Sequence, residues 1–257
     1  MWSNKHKYFI FYFGIFVSAL GSNALVMIQP GLLAKSGMAI SLIGVYIAAN
    51  RITNFMANFL FGKMGDTISP VTVIYISEIG AFLSALAMLT TVPKNSNMPT
   101  SFALFTLYGV FRIFFVSLQS GSVQKILKHY DNVLGLDGLA AQRFSLISNL
   151  AIVVAGIVSL FVFDQVTHRQ VILFDAFTFL FNCVVVFVFQ SYRGERVNFY
   201  ISQLGLVQYF RSFKHLFFED AILSLCLAGS NVLNLKLLDS QLRWAPIMTT
   251  IFGLSGF

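Results

Sequence analysis

Long apolar runs separated by short polar breaks dominate this chain. A bilayer-crossing helix needs about 20 mostly apolar residues. On that ruler the runs predict seven spanning helices, at 8–34, 40–61, 70–92, 101–123, 143–163, 170–191 and 221–238. An eighth run opens near Pro246 and is still apolar at Phe257, which reads as a fragment or a truncated product. The first six runs have short connections and predict one all-α, polytopic six-helix membrane bundle over 1–191. The most polar stretch follows at 192–220, where Tyr200, Leu204, Val207, Phe210 and Phe217 keep a rough helical spacing opposite Gln203, Arg211 and Lys214. That pattern suits a cytoplasmic linker helix lying in the membrane interface. Residues 221–257 then read as helix 7 and the start of helix 8.

Composition agrees, with 57% hydrophobic and 11% charged residues, against about 25% charged in soluble domains. The net charge of +7 raises nucleic acid as a partner, but its distribution excludes that reading. With the N-terminus inside, ten basic residues are cytoplasmic: Lys5, Lys7, Lys63, Lys125, Lys128, Arg143, Arg193, Arg196, Arg211 and Lys214. Five fall outside: Lys35, Lys94, Arg169, Lys236 and Arg243. Cytoplasmic loops of membrane proteins carry the basic excess, so the charge is topological and the N-terminus is expected in the cytoplasm. Residues 5–20 imitate a signal peptide, but the apolar run continues past a signal core and six more spans follow, which implies a retained anchor. Cys183 and Cys226 each fall in a span and form neither a disulfide nor a metal pair. His6, His129, His168 and His215 all fall outside the spans, so no metal and no cofactor is expected.

Polar side chains are expensive in lipid and should face protein or a water-filled cavity. Ser18, Ser22 and Gln29 mark such a stripe on span 1, and Asn50, Asn54 and Asn58 mark one on span 2. Span 4 carries Tyr108, Arg112 and Gln119, and span 5 carries Gln142, Ser145 and Asn149. The stripes predict a cavity lining, with interhelical hydrogen bonding as the alternative, since Ser and Asn bond across packed helices for about 1 kcal/mol. Phe115 is a further candidate for a greasy cavity wall. Four charged residues lie inside spans: Arg51, Glu78, Arg112 and Asp175. At about 1.5 Å of rise per residue, Glu78 lies roughly 12 Å from the inner end of span 3 and Arg112 roughly 17 Å from the outer end of span 4. These depths are similar, and Arg51 is near the middle of span 2. Glu78 is therefore expected to neutralise Arg112 or Arg51. Asp175 falls in the first outer turns of span 6, away from that depth, where the helix dipole stabilises a carboxylate.

Between spans 2 and 3 the chain reads Gly62-Lys63-Met64-Gly65-Asp66, then Ser69-Pro70. The glycines permit close backbone approach and positive φ, Asp66 sets a charge beside helix ends, and Ser69 can cap a helix that has Pro70 in its first turn. This loop resembles the one between helices 2 and 3 of the major facilitator superfamily, Gly-x-Leu-Ala/Gly-Asp-Arg-x-Gly-x-Arg. Gly62, Met64 (for Leu), Gly65 and Asp66 match; Thr67 and Val71 to Val73 stand where basic residues are usual. Arg143-Phe-Ser-Leu-Ile-Ser-Asn149 with Ala155-Gly156, and Phe174-Asp175-Ala-Phe-Thr-Phe-Leu180, look like helices 5 and 6 of the drug and siderophore exporter branch. The resemblance implies a first six-helix half, a linker and the beginning of a second half, in the plasma (bacterial inner) membrane. It implies a central cavity lined by helices 1, 2, 4 and 5, where Arg51 joins the stripe residues. It also makes Gly62, Gly65 and Asp66 a gating motif in which Asp66 meets helix 11. Arg112 resembles the helix 4 arginine of an Arg-x-x-x-Gly motif implicated in proton coupling, although the glycine arrives only at Gly121. Glu78, Arg112 and Asp175 become the proton-coupling candidates, Arg112 tuning a nearby carboxylate.

No Gly-x-x-x-x-Gly-Lys-Ser/Thr loop occurs, and neither does His-Glu-x-x-His or Gly-x-Ser-x-Gly, so ATP hydrolysis and hydrolase chemistry are not supported. The expected function is secondary transport, with the bilayer, a small amphipathic substrate and protons as partners, by alternating access around a midplane site. A seven-helix receptor or retinal protein with Lys236 as its lysine is the weaker rival, because those proteins place the N-terminus outside. A transport-incompetent half lacking its C-terminal partner is the stronger rival, because alternating access needs two bundles.

Overall fold

A computed structural model of the chain describes residues 4–64, 68–93, 99–135, 139–188 and 222. The described residues form six α-helices and no strand: α1 Asn4–Lys35, α2 Ile40–Met64, α3 Pro70–Thr90, α4 Pro99–Leu134, α5 Ala140–Val162 and α6 His168–Val188. Five of them, all but α2, are long and apolar enough to cross a membrane, which points to a multi-pass membrane protein. α2 has 25 residues, about 37 Å of helix. Asn50, Arg51, Thr53 and Asn54 put a polar segment in its middle.

Successive helices alternate in direction. At the end holding the α1 N-terminus, called the near end, Tyr8 of α1 meets Asp131 of α4 and Arg143 of α5. At the far end, Lys35 of α1 meets Asp164, and Gln29 meets His168 of α6. α3 packs between α4 and α6, α1 packs against α5 and α6, and α2 leans on α4. Two large apolar clusters and a small third one at Ala24, Met27 and Ala155 form the core of the described residues. The far-end cluster centres on Leu25, Leu33, Ile43, Met88, Phe105 and Phe163; the near-end cluster centres on Phe11, Ile74, Leu127 and Val186. A buried polar belt separates them, containing Ser18, Glu78, Arg112, Asp175 and Asn182.

Two glycines bring the belt together. A Cβ at Gly14 would come within 2.6 Å of Asn182 Oδ1 and 2.8 Å of Val185, and one at Gly21 would overlap Thr178. Without side chains there, α1 and α6 approach closely, which carries Ser18 and Ser22 up to the polar face of α6.

The structure departs from the predicted elements in three places. α4 runs on to Leu134 through residues expected to form an inner loop. The apolar run ends near residue 123, but Val123, Ile126, Leu127 and Tyr130 continue at helical spacing and are buried. The helix stops at Gly135, whose φ of +63° favours glycine. Gly62 and Met64 belong to the last turn of α2, so the expected turn begins later, while Gly65 and Asp66 lie outside the described residues. Ser69 is the N-cap of α3, but its side chain makes no capping bond. Its carbonyl instead accepts the Val73 N–H at 3.0 Å, with Pro70 beginning the helix. The linker at 192–220, Cys226, His215, Lys236 and the predicted helices 7 and 8, apart from Ile222, also lie outside the described residues.

Candidate functional site

α4 and α6 run in the same direction, and each repeats a polar residue after seven positions: Arg112 and Gln119 on α4, Asp175 and Asn182 on α6. Seven residues span two turns, about 10 Å, so the four side chains make two levels on one side of each helix. α1 supplies a hydroxyl to each level from Ser22 and Ser18, and α3 supplies Glu78 to the second.

The first level is an ion pair. Arg112 donates from Nε to Asp175 Oδ2 at 2.5 Å and from Nη2 to Oδ1 at 2.8 Å. Ser22 Oγ donates to Asp175 Oδ1 at 3.4 Å. Both ions are sealed, Arg112 at 2% and Asp175 at 0% exposure. Two parallel N–H···O bonds are the strongest arrangement available to these groups, and the guanidinium carbon also lies 5.5 Å from the Phe179 ring centroid.

The second level holds a carboxylate without an ion partner. Ser18 Oγ donates to Glu78 Oε1 at 3.3 Å, and Asn182 Nδ2 donates to the same oxygen at 2.5 Å. Gln119 is a third neutral neighbour. Glu78 is 1% exposed, and no cationic side chain pairs with it among the described residues. Glu78 Oε2, Gln119 Oε1 and Asn182 Oδ1 are buried with no hydrogen-bond partner.

These contacts correct the expected pairing. Arg112 meets Asp175 and not Glu78, and Asp175 is not a helix-end carboxylate but the eighth residue of α6. Depth placed Arg112 from the outer end of span 4 and Glu78 from the inner end of span 3, two ends whose separation the sequence does not fix. α4 continues past the near end, so Gln119 stands at the level of Glu78, and Arg112 stands two turns further toward the far end. Arg51 is partly buried on α2 and has no hydrogen bond or ion pair among the described residues.

The predicted cavity residues divide. Ser18 and Ser22 bond across helices within the two levels, and Gln119 stands beside the second. Gln29 reaches His168 Nδ1 at 2.9 Å. Tyr108 packs against the far-end cluster, and Phe115 lies against Gly80 of α3, so neither needs a cavity to explain it. The α2 and α5 stripes stay apart from the belt. Asn54 is exposed and accepts a hydrogen bond from Ser117 at 2.5 Å, Ser145 is exposed, and Asn50 and Asn149 are half-buried, each with an unpartnered Oδ1. The side chain of Asn58 lies outside the described residues.

Two features escaped the sequence reading. Asn182 was recoverable as the last member of an Asp175, Thr178, Asn182 stripe, all three buried on α6. Asp131 was placed in a loop, whereas it is fully buried on α4 and binds Tyr8 at 2.8 Å and Arg143 at 3.3 Å. His6, His129 and His168, expected outside the spans, lie within α1, α4 and α6. No protein-family model matches this sequence, and no curated protein matches it.

Proposed function

We propose that the chain is the first half, linker and beginning of the second half of a secondary transporter of the major facilitator type, exporting small amphipathic compounds in exchange for protons. The observation that carries this reading is Glu78, a carboxylate sealed between two apolar clusters and held only by neutral groups. An ionisable side chain inside a membrane bundle is expensive and marks a functional site by default. Glu78 can exchange a proton without breaking an ion pair. A proton on Oε2 removes the buried charge and makes that oxygen a donor, with Gln119 Oε1 and Asn182 Oδ1 as free acceptors. In this scheme Arg112 and Asp175 are a fixed frame, and Ser18 and Ser22, four residues apart on α1, tie the frame to the exchanging group.

The polar faces of α2 and α5 support the rest. Asn54 and Ser145 are exposed and Arg51 and Asn149 half-exposed, an unfavourable surface against lipid but a suitable one against water or a second bundle. The mechanism is alternating access, with this bundle rocking against its partner half, in the bacterial inner membrane with the N-terminus inside.

The test uses the complete gene product in everted vesicles with a panel of amphipathic cations, anions and neutral compounds. Efflux should collapse with a protonophore. Glu78→Gln should abolish gradient-driven accumulation while sparing downhill exchange, and Arg112→Ala should impair both. Efflux that persists through the protonophore and through Glu78→Gln would show that Glu78 carries no coupling proton.

A further inference from the structure

We infer that the Glu78 chamber is also the seat of a monovalent metal cation of the sodium type. The inference rests on reading Glu78 as the exchanging carboxylate and adds a second occupant to that site.

The chamber is over-supplied with acceptors. Glu78 Oε2, Gln119 Oε1 and Asn182 Oδ1 are all buried oxygens without a donor, and both Glu78 and Asn182 are 1% exposed. Buried polar groups in folded proteins are nearly always satisfied, so each exception calls for a water, an ion or a functional account. Here three of the exceptions, all acceptor oxygens, belong to Glu78 and two of its neighbours. Glu78 and Asn182 are in direct contact, Gln119 is the next neutral partner, and Ser18 Oγ adds a fourth side chain. A single proton can satisfy one of these lone pairs at a time, whereas a metal cation engages several at once.

Charge and ligand type set the class of ion. One carboxylate among neutral dipoles offers one negative charge, so a single positive charge balances the chamber and a divalent ion overshoots it. The ligating atoms are carboxylate, amide and hydroxyl oxygens, which suit a hard cation rather than a soft one. The other titratable or charged groups near Glu78 are Asp175 and Cys183 on α6, Arg112 on α4, and Tyr75 one turn before it on α3. Asp175 is already neutralised by Arg112, which leaves Glu78 as the group whose charge the ion must answer. Rotation of an amide lets one side chain donate to the bare carboxylate or present its oxygen to the ion. The four ligands come from α1, α3, α4 and α6, so an ion here would pin four helices at one point.

The experiment measures 22Na+ binding to the purified full-length protein, together with its melting temperature in NaCl, KCl or choline chloride at fixed ionic strength. Na+ should bind saturably and raise the melting temperature above its value in K+ or choline. Glu78→Gln should abolish Na+ binding, and Gln119→Leu should weaken it by about tenfold, which keeps the test decisive if one variant fails to fold. Absence of saturable 22Na+ binding to folded wild-type protein, or equal binding by Glu78→Gln, overturns the inference. If binding is absent while a proton gradient still drives efflux, only the sodium site falls. If Na+ binds but no gradient drives efflux, the transport reading falls and the site stands.

Discussion

At the scale of single residues, Arg112 and Asp175 are a committed pair and Glu78 is an uncommitted acid. Removing one member of a buried ion pair strands a charge in low dielectric and costs about 3–5 kcal/mol, whereas replacing both with apolar groups is often neutral or better. Arg112→Leu and Asp175→Leu should therefore each destabilise the bundle by about that amount, and the double variant should recover most of the loss. Unfolding followed by helical circular dichroism checks this. Additive losses would mean that the two residues do not act as a pair. Glu78→Gln should be milder, about 1 kcal/mol, because the amide keeps an oxygen for Ser18 and Asn182. None of this division was legible from residue identity. Depth along a span was the only available ruler, and it put Arg112 beside Glu78 because it measured one from an outer end and the other from an inner end, without the shift of one helix against another.

At the scale of elements, the contact of α1 with α6 builds the site. Gly14 and Gly21 are spaced by seven residues, the period that returns to one helix face after two turns. Gly21→Ile should push α6 away through Thr178 and separate Ser18 and Ser22 from both carboxylates. The expected outcome is loss of gradient-driven efflux with the protein still inserted in the membrane, and partial rescue in Gly21→Ala combined with Thr178→Ala. A Gly21→Ile protein with normal efflux would show that the close approach is dispensable. Helix positions were well read from apolar runs, since α1, α2, α3, α5 and α6 start and stop within a few residues of expectation. α4 was not, because beyond residue 123 it is amphipathic, and amphipathic helix cannot be separated from loop by hydropathy alone.

At the scale of the molecule, the described residues form an antiparallel bundle with an apolar cluster at each end and polar chemistry between them. The distribution of Lys and Arg predicts that the near end is cytoplasmic. In a background lacking Cys183 and Cys226, an Ala39→Cys variant in intact cells should react with an impermeant maleimide. Ser69→Cys should react only after permeabilisation, both positions being exposed at bundle ends. The opposite labelling pattern would invert the orientation and with it the direction of every proposed flux. The sequence by itself determined the helical class, the membrane-scale length of the segments and the presence of four ionisable groups within them. Those properties follow from local composition and period, which need no knowledge of neighbours. Only the tertiary structure decided that Asp175 claims Arg112, that Asn182 and Gln119 close around Glu78, and that Ser18 and Ser22 serve different carboxylates. Such choices depend on the relative shift and rotation of helices far apart in the chain. Those in turn depend on where a missing side chain lets two backbones meet.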